Sequence, residues 1–323
     1  MQSDKPARTP LATSLKRSVA SQQWGIILVL IALIVIVSTI APVFLSGRNI
    51  RNVLQQISTL GILSMGMTVL MISGGIDLSV GSSISVVAVV AGTMIKAHWP
   101  AELASIAGLL SGCGLGAING TLAAYTRAHP FILTLGTMTF FQGVAVMITQ
   151  GFPITNLGQR FEWIGGARFG EVPFLVILFF VVMLVCYFLL RYTRLGRIAY
   201  AIGGNEYTTY LAGIPVKRYK ILFYVLCGFF TGMAGITLAS RISSAIPTMG
   251  ADYTLQAIAA VVIGGVPLTG GRGNVWGTFT GVLLLGVIAN GLNLLHFDAS
   301  LQYVLTGLVI VIAVILHEQR SRR

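Results

Sequence analysis

Residues 174–190 read FLVILFFVVMLVCYFLL, an unbroken apolar run with no charge. Wound as a helix at about 1.5 Å per residue it covers most of the ~30 Å hydrocarbon core of a bilayer. It lacks the apolar/polar alternation of a barrel strand. In lipid its backbone must therefore satisfy its own hydrogen bonds, which requires a helix.

Nine more stretches of the same kind lie on either side. Upstream they run Trp24 to Phe44, Val53 to Ser73, Gly81 to Ile95, Leu103 to Thr126 and Phe131 to Thr149. Downstream they run Ile221 to Ser240, Tyr253 to Leu268, Val275 to Leu295 and Leu301 to Leu316. None contains Asp, Glu, Lys or Arg. Across the chain 55% of residues are hydrophobic and 9% charged, against about 25% charged in a soluble domain. The expected fold is an all-α polytopic membrane protein of about ten transmembrane helices, with the first run retained as a helix because it exceeds a signal-peptide core.

The net charge of +12 does not point to a nucleic-acid partner, because the cations are sorted by side. Counting loops alternately from the N-terminus puts 15 of the 21 Lys and Arg on one side, six of them between Arg191 and Lys220. The positive-inside rule then makes both termini cytoplasmic. The segments expected are a flexible basic tail over 1–23, a first half over 24–190, a cytoplasmic loop over 191–220, a second half over 221–316 and a basic tail over 317–323. The external loop Gln150 to Pro173 either folds back on the membrane surface or is a connector anchored by Trp163.

Two glycine-rich strings mark an internal repeat. Gly74-Gly75-Ile76-Asp77-Leu78-Ser79-Val80-Gly81 aligns without gaps to Gly264-Gly265-Val266-Pro267-Leu268-Thr269-Gly270-Gly271, and both follow an even-numbered span. The two halves are thus expected to be pseudo-symmetric about an axis along the membrane normal. In this alignment Pro267 stands where the first string has Asp77. On the fourth span Gly112, Gly116 and Gly120 repeat a GxxxG spacing, which lets backbones approach closely and predicts a central helix.

Asp77 has two readings. It is an ionisable group of a proton relay, or it caps the helix beginning near Ser79 to Gly81 through backbone N–H groups. No other acid or histidine lies within a span core, which disfavours an ion-coupled secondary transporter, the main alternative class. The phosphate-binding pattern GxxxxGK[ST] is missing, so an ATP-driven pump within one chain is excluded. Cys113, Cys186 and Cys227 are isolated within spans, and His98, His129, His296 and His317 sit near span ends far apart in sequence. Neither set suggests a metal, a disulfide or an enzyme active site.

The loop over 191–220 contains a short helix signal. Gly203 and Gly204 can break the preceding helix, Asn205 can cap a helix from Glu206 to Ala212, and Gly213 and Pro215 can end it. Such an element either docks into a motor subunit or is a basic loop that fixes topology and touches anionic lipid.

Three stretches carry a family resemblance: Gly74 to Ser82, the Gly203-Gly204-Asn205-Glu206 to Leu211-Ala212-Gly213-Ile214 element, and Ala259-Ala260-Val261-Val262-Ile263-Gly264-Gly265. Together they resemble the ribose-type sugar ABC transporter permeases over nearly the whole chain. The resemblance implies that Gly203, Gly204, Asn205, Glu206, Leu211 and Gly213 couple to a separate ATPase that binds ATP with Mg. It also implies that the turns holding Gly74, Gly75, Asp77, Ser79, Gly81, Gly264, Gly265, Gly270 and Gly271 sit at the cytoplasmic ends of pore helices. A second copy of the chain, an external sugar-binding protein and a bacterial inner membrane follow from the same resemblance, with no cofactor in this chain. A sugar path needs amides and hydroxyls inside spans, and Asn119, Gln142, Asn290 and Asn293 are the candidates; each is alternatively a helix-to-helix hydrogen bond of structural value.

Overall fold

The computed structural model describes residues 10–298 and, beyond them, 300, 301, 304, 305, 307, 308 and 311; for 10–23 it describes the backbone alone. Helices dominate: α1 (Pro10–Ile40), α2 (Gly47–Ile72), α3 (Val80–Lys96), α4 (Ala101–Tyr125), α5 (Pro130–Thr149), α6 (Gln159–Gly166) and α7 (Phe174–Tyr192). They are followed by α8 (Arg194–Gly204), α9 (Glu206–Leu211), α10 (Val216–Ile242), α11 (Tyr253–Ile263) and α12 (Val275–Leu294). Helical backbone therefore reaches back to Pro10, into the stretch expected to be a flexible tail. Most of the expected last span, and all of 317–323, lie outside the described residues.

Among the described residues six helices are long and apolar enough to cross a membrane: α2, α4, α5, α7, α10 and α12. Three apolar helical stretches are shorter, Trp24–Ile40 within α1, α3 and α11, the last with 11 residues. The sequence reading carried this span on to Leu268, but the helix stops at Ile263 because Gly265 turns the chain with φ +92°.

At the centre stands α2, buried along most of its length and packed against α7, α10, α11 and α12. Helix α4, expected to be central, is peripheral: Leu103, Ile106, Leu110 and Ile118 are exposed. Its glycine face is nevertheless used as the spacing implied. A Cβ on Gly112 would meet the Gly228 carbonyl oxygen at 2.6 Å, and one on Gly116 the Tyr224 carbonyl oxygen at 2.4 Å, so α4 and α10 touch backbone to backbone. The partner face, Gly228 and Gly232, carries the same GxxxG spacing and was not singled out in the sequence.

The connector between α5 and α7 folds back onto the helices. Its strand β1 (Ile154–Thr155) pairs antiparallel with β2 (Ser244–Ala245) after α10. On α6 the Gly165 N–H donates to Ser240 Oγ at 2.6 Å, and Phe161 is fully buried. This end of the molecule also holds Asn49 and the C-terminus of α3, whose Gly92 lies against Ala245 and Leu157. The opposite end holds the C-terminus of α2, α8 and α9.

Candidate functional site

The three motifs, far apart in sequence, meet at that second end. The α2 helix closes in a turn in which Gly74 N–H donates to Met71 O at 2.9 Å and Gly75 N–H to Leu70 O at 3.1 Å. At the end of α11 the same two bonds run from Gly265 N–H to Val262 O and from Val266 N–H to Val261 O. Gly74 (φ +82°) thus corresponds to Gly265, not to Gly264, and the ungapped sequence alignment is off by one residue. The counterpart of Asp77 is Leu268, and Pro267 matches Ile76.

The turns touch each other and the end of α8. Gly271 N–H donates to Ile72 O at 2.9 Å. A Cβ on Gly203 would lie 2.0 Å from that same Ile72 oxygen, and one on Gly270 would lie 2.7 Å from the Gly74 nitrogen. Side chains are excluded from these contacts, and the end of α8 lies directly against both turns. Gly204 is in contrast open on its Cβ side. The α8 helix runs through both glycines to Gly204, so the break falls at Asn205 and not at the Gly-Gly pair.

Asn205 caps α9 as its position suggested, its Oδ1 accepting from Thr208 N–H at 2.8 Å. Glu206 pairs with Lys220 at 2.6 Å. Tyr207, Tyr210 and Leu211 project into solvent at 70%, 64% and 66% exposure, and Gly213 reverses the chain with φ +79°. Three large side chains are thus exposed together on a helix of six residues. Beside it a cavity of about 540 Å³ is lined by Tyr125, Glu206, Tyr207, Tyr210, Lys217 and Arg218, among others.

From the α2 turn the chain leads to a second cluster inside the bundle. Helices α3 and α11 begin side by side: Gly81 N–H donates to Thr254 Oγ1 at 3.0 Å, Thr254 Oγ1 donates to Leu78 O at 3.2 Å, and Gly250 N–H donates to Ser85 Oγ at 3.2 Å. From this junction α3 runs to the end that holds Ala245, and α11 to the end that holds Gly203. Their 17 and 11 residues cover about 25 and 16 Å, each short of the ~30 Å hydrocarbon core. Broken helices that meet inside a bundle are a recurring device of transporters.

Asp77 is buried at this junction, 3% exposed. Its Oδ1 accepts from Ser79 N–H at 2.8 Å and from Ser79 Oγ at 2.7 Å, and both carboxylate oxygens accept from Asn119 Nδ2 at 3.2 Å. Ser79, not Asp77, holds the N-cap position of α3, so the carboxylate steadies the turn just ahead of the helix. Asn119 also donates to Ser79 Oγ at 2.7 Å, while its own Oδ1 is buried without a partner. Gln142 donates to Pro247 O at 2.8 Å, on the run of turns that feeds α11. Two path candidates therefore brace the broken helices.

The other two are elsewhere. Asn290 and Asn49 exchange reciprocal side-chain bonds at 2.8 and 3.0 Å, joining α12 to α2 near the far end, and Asn293 is exposed. Sequence reading missed Thr254, Ser85 and Tyr224, whose hydroxyl donates to Ile76 O at 2.9 Å. Thr254 and Gly81 are 173 residues apart, and no local spacing rule links them. No cluster of three or more His, Cys, Asp or Glu side chains that would hold a metal occurs among the described residues.

Comparison with known proteins adds the decisive observation. Residues 49–314 match the family model described as branched-chain amino acid transport system / permease component. The chain belongs to this permease family. Over 91% of the permease and 93% of the relative it is 41% identical to the ribose import permease protein of Escherichia coli (strain K12). The ribose import permease protein of Bacillus subtilis (strain 168) is 43% identical over 93% of the permease and 94% of its own length. The L-arabinose ABC transporter permease protein of Azospirillum brasilense is 36% identical over 93% and 88%. Matches over more than nine-tenths of the permease span the whole stretch that holds the three motifs.

Proposed function

We propose that this chain is the membrane subunit of a bacterial ABC importer that translocates a monosaccharide. Support comes from relatives of similar length named for ribose, L-arabinose and D-allose. Two copies form the pathway in the inner membrane, each with about ten spans in two related halves and both termini in the cytoplasm. An external binding protein delivers the sugar, and a separate ATPase that binds ATP with Mg supplies the energy.

The observation that carries the mechanism is the contact of Gly203 with Ile72 and Gly271. The ATPase takes hold of α9 through Tyr207, Tyr210 and Leu211. Its motion passes to the end of α8, which cannot move without the α2 and α11 turns. From there the α2 turn leads to Asp77 and the start of α3, while α11 leads directly to Thr254. Rigid elements with packed, side-chain-free contacts transmit displacement because they have no slack to absorb it.

Reconstitution tests this reading. Proteoliposomes holding the permease and its ATPase should accumulate sugar when binding protein and ATP are supplied. Uptake driven by a proton or sodium gradient without the ATPase would overturn it.

A further inference from the structure

A second cavity, of about 340 Å³, lies between the last turn of α7, α8 and the start of α12. Tyr187, Arg191, Arg197, Tyr200 and Asn274 are among its lining residues, and no acidic side chain lines it. Neither arginine pairs with a carboxylate among the described residues, where the ion pairs are Arg51 with Glu171 and Lys220 with Glu206. The wall behind them is fixed. Tyr200 donates its hydroxyl to Gly273 O at 2.8 Å, and Asn274 accepts from Gly277 N–H at 2.8 Å.

The position of the cavity selects its ligand. On α7, Leu184, Phe188 and Arg191 follow one another at helical spacings of four and three, and all three are exposed, so the apolar outer face of the helix runs directly into the guanidinium. Tyr192 and Trp276 are exposed close by, and the Trp276 ring lies 6.2 Å from that of Tyr187. Aromatic side chains above an apolar helix face mark the headgroup level of a bilayer. Two guanidinium forks at that level, without a carboxylate partner among the described residues, match the oxygens of a phosphodiester. We propose that this cavity binds the phosphate of an anionic phospholipid, whose acyl chains lie along Leu184 and Phe188. Bound there, the lipid bridges α7, α8 and α12 and braces the base from which α8 acts on the turns.

The test uses the full-length permease purified in a mild detergent. Wild type, Arg191→Gln/Arg197→Gln, the charge-retaining Arg191→Lys/Arg197→Lys and the remote control Arg48→Gln are compared. Native mass spectrometry reports retained phosphatidylglycerol, and thermal unfolding is followed with added phosphatidylglycerol, phosphatidylcholine or inorganic phosphate. Wild type and Arg48→Gln should retain phosphatidylglycerol and be stabilised by it over phosphatidylcholine. The double Gln variant should retain roughly tenfold less or below, the loss expected of charge-assisted hydrogen bonds, with the Lys variant between. Equal retention by the double Gln variant would overturn the proposal. So would stabilisation of wild type by inorganic phosphate alone, which would make this a site for a free anion. Should the double variant not fold, the wild type still decides: equal stabilisation by the two lipids contradicts the proposal.

Discussion

The backbone N–H of Gly271 donates to the carbonyl oxygen of Ile72 at 2.9 Å, and Gly203 seals the contact from the α8 side. Three segments, 131 and 68 residues apart in sequence, are joined here through main-chain atoms. Main-chain contacts of this kind tolerate no added methyl group, and that makes the arrangement testable one glycine at a time.

The α4–α10 interface offers the first test. Gly228→Ala places a Cβ 2.3 Å from the Gly112 carbonyl oxygen, whereas Gly114→Ala meets nothing within 4 Å. Overpacking of this order costs about 1–3 kcal/mol. Thermal unfolding in detergent should show Gly228→Ala clearly below wild type and Gly114→Ala close to it.

Asp77 is expected to position the α3 turn. Asp77→Ala removes the acceptor of Ser79 N–H, Ser79 Oγ and Asn119 Nδ2, and a buried donor left unpaired costs about 1–3 kcal/mol. Asp77→Asn keeps an acceptor oxygen and should lose less. ATP-driven uptake by Asp77→Asn, measured across a range of pH, should keep the wild-type profile. A profile that flattens would restore the proton-relay reading.

Asn290 is expected to act as a helix tie and not as a sugar ligand. A double-mutant cycle of Asn49→Ala and Asn290→Ala should give a coupling energy of about 0.6–1.7 kcal/mol in thermal or denaturant unfolding. The sugar concentration that half-saturates uptake should not change. A selective rise in that concentration for Asn290→Ala alone would place it on the path.

Much of this architecture was legible in the sequence, because its physics is local. Six long apolar helices followed from uncharged apolar runs, the α9 cap from Asn205 followed by Glu206, and the close approach of α4 from Gly112 and Gly116. Long-range consequences were not legible. The off-by-one register of the two turns depends on which glycine takes positive φ, Gly265 and not Gly264, and two adjacent glycines hide that choice. Leu268 was read into a span because apolar residues continue past the point where Gly265 ends α11. The centrality of α2 escaped notice because an apolar helix facing lipid and one facing protein look alike in composition. The junction of Gly81 with Thr254 is a tertiary contact with no sequence period.

The most direct test compares hydrolysis and uptake in the same proteoliposomes, with the permease, its ATPase and the binding protein present. In Gly203→Ala a Cβ would be forced to 2.0 Å from the Ile72 oxygen, while Gly204→Ala is unobstructed. The expected result is that Gly204→Ala matches wild type, and that Gly203→Ala still assembles and hydrolyses ATP but loses most of its sugar uptake per ATP. Wild-type uptake per ATP in Gly203→Ala would contradict transmission through this contact.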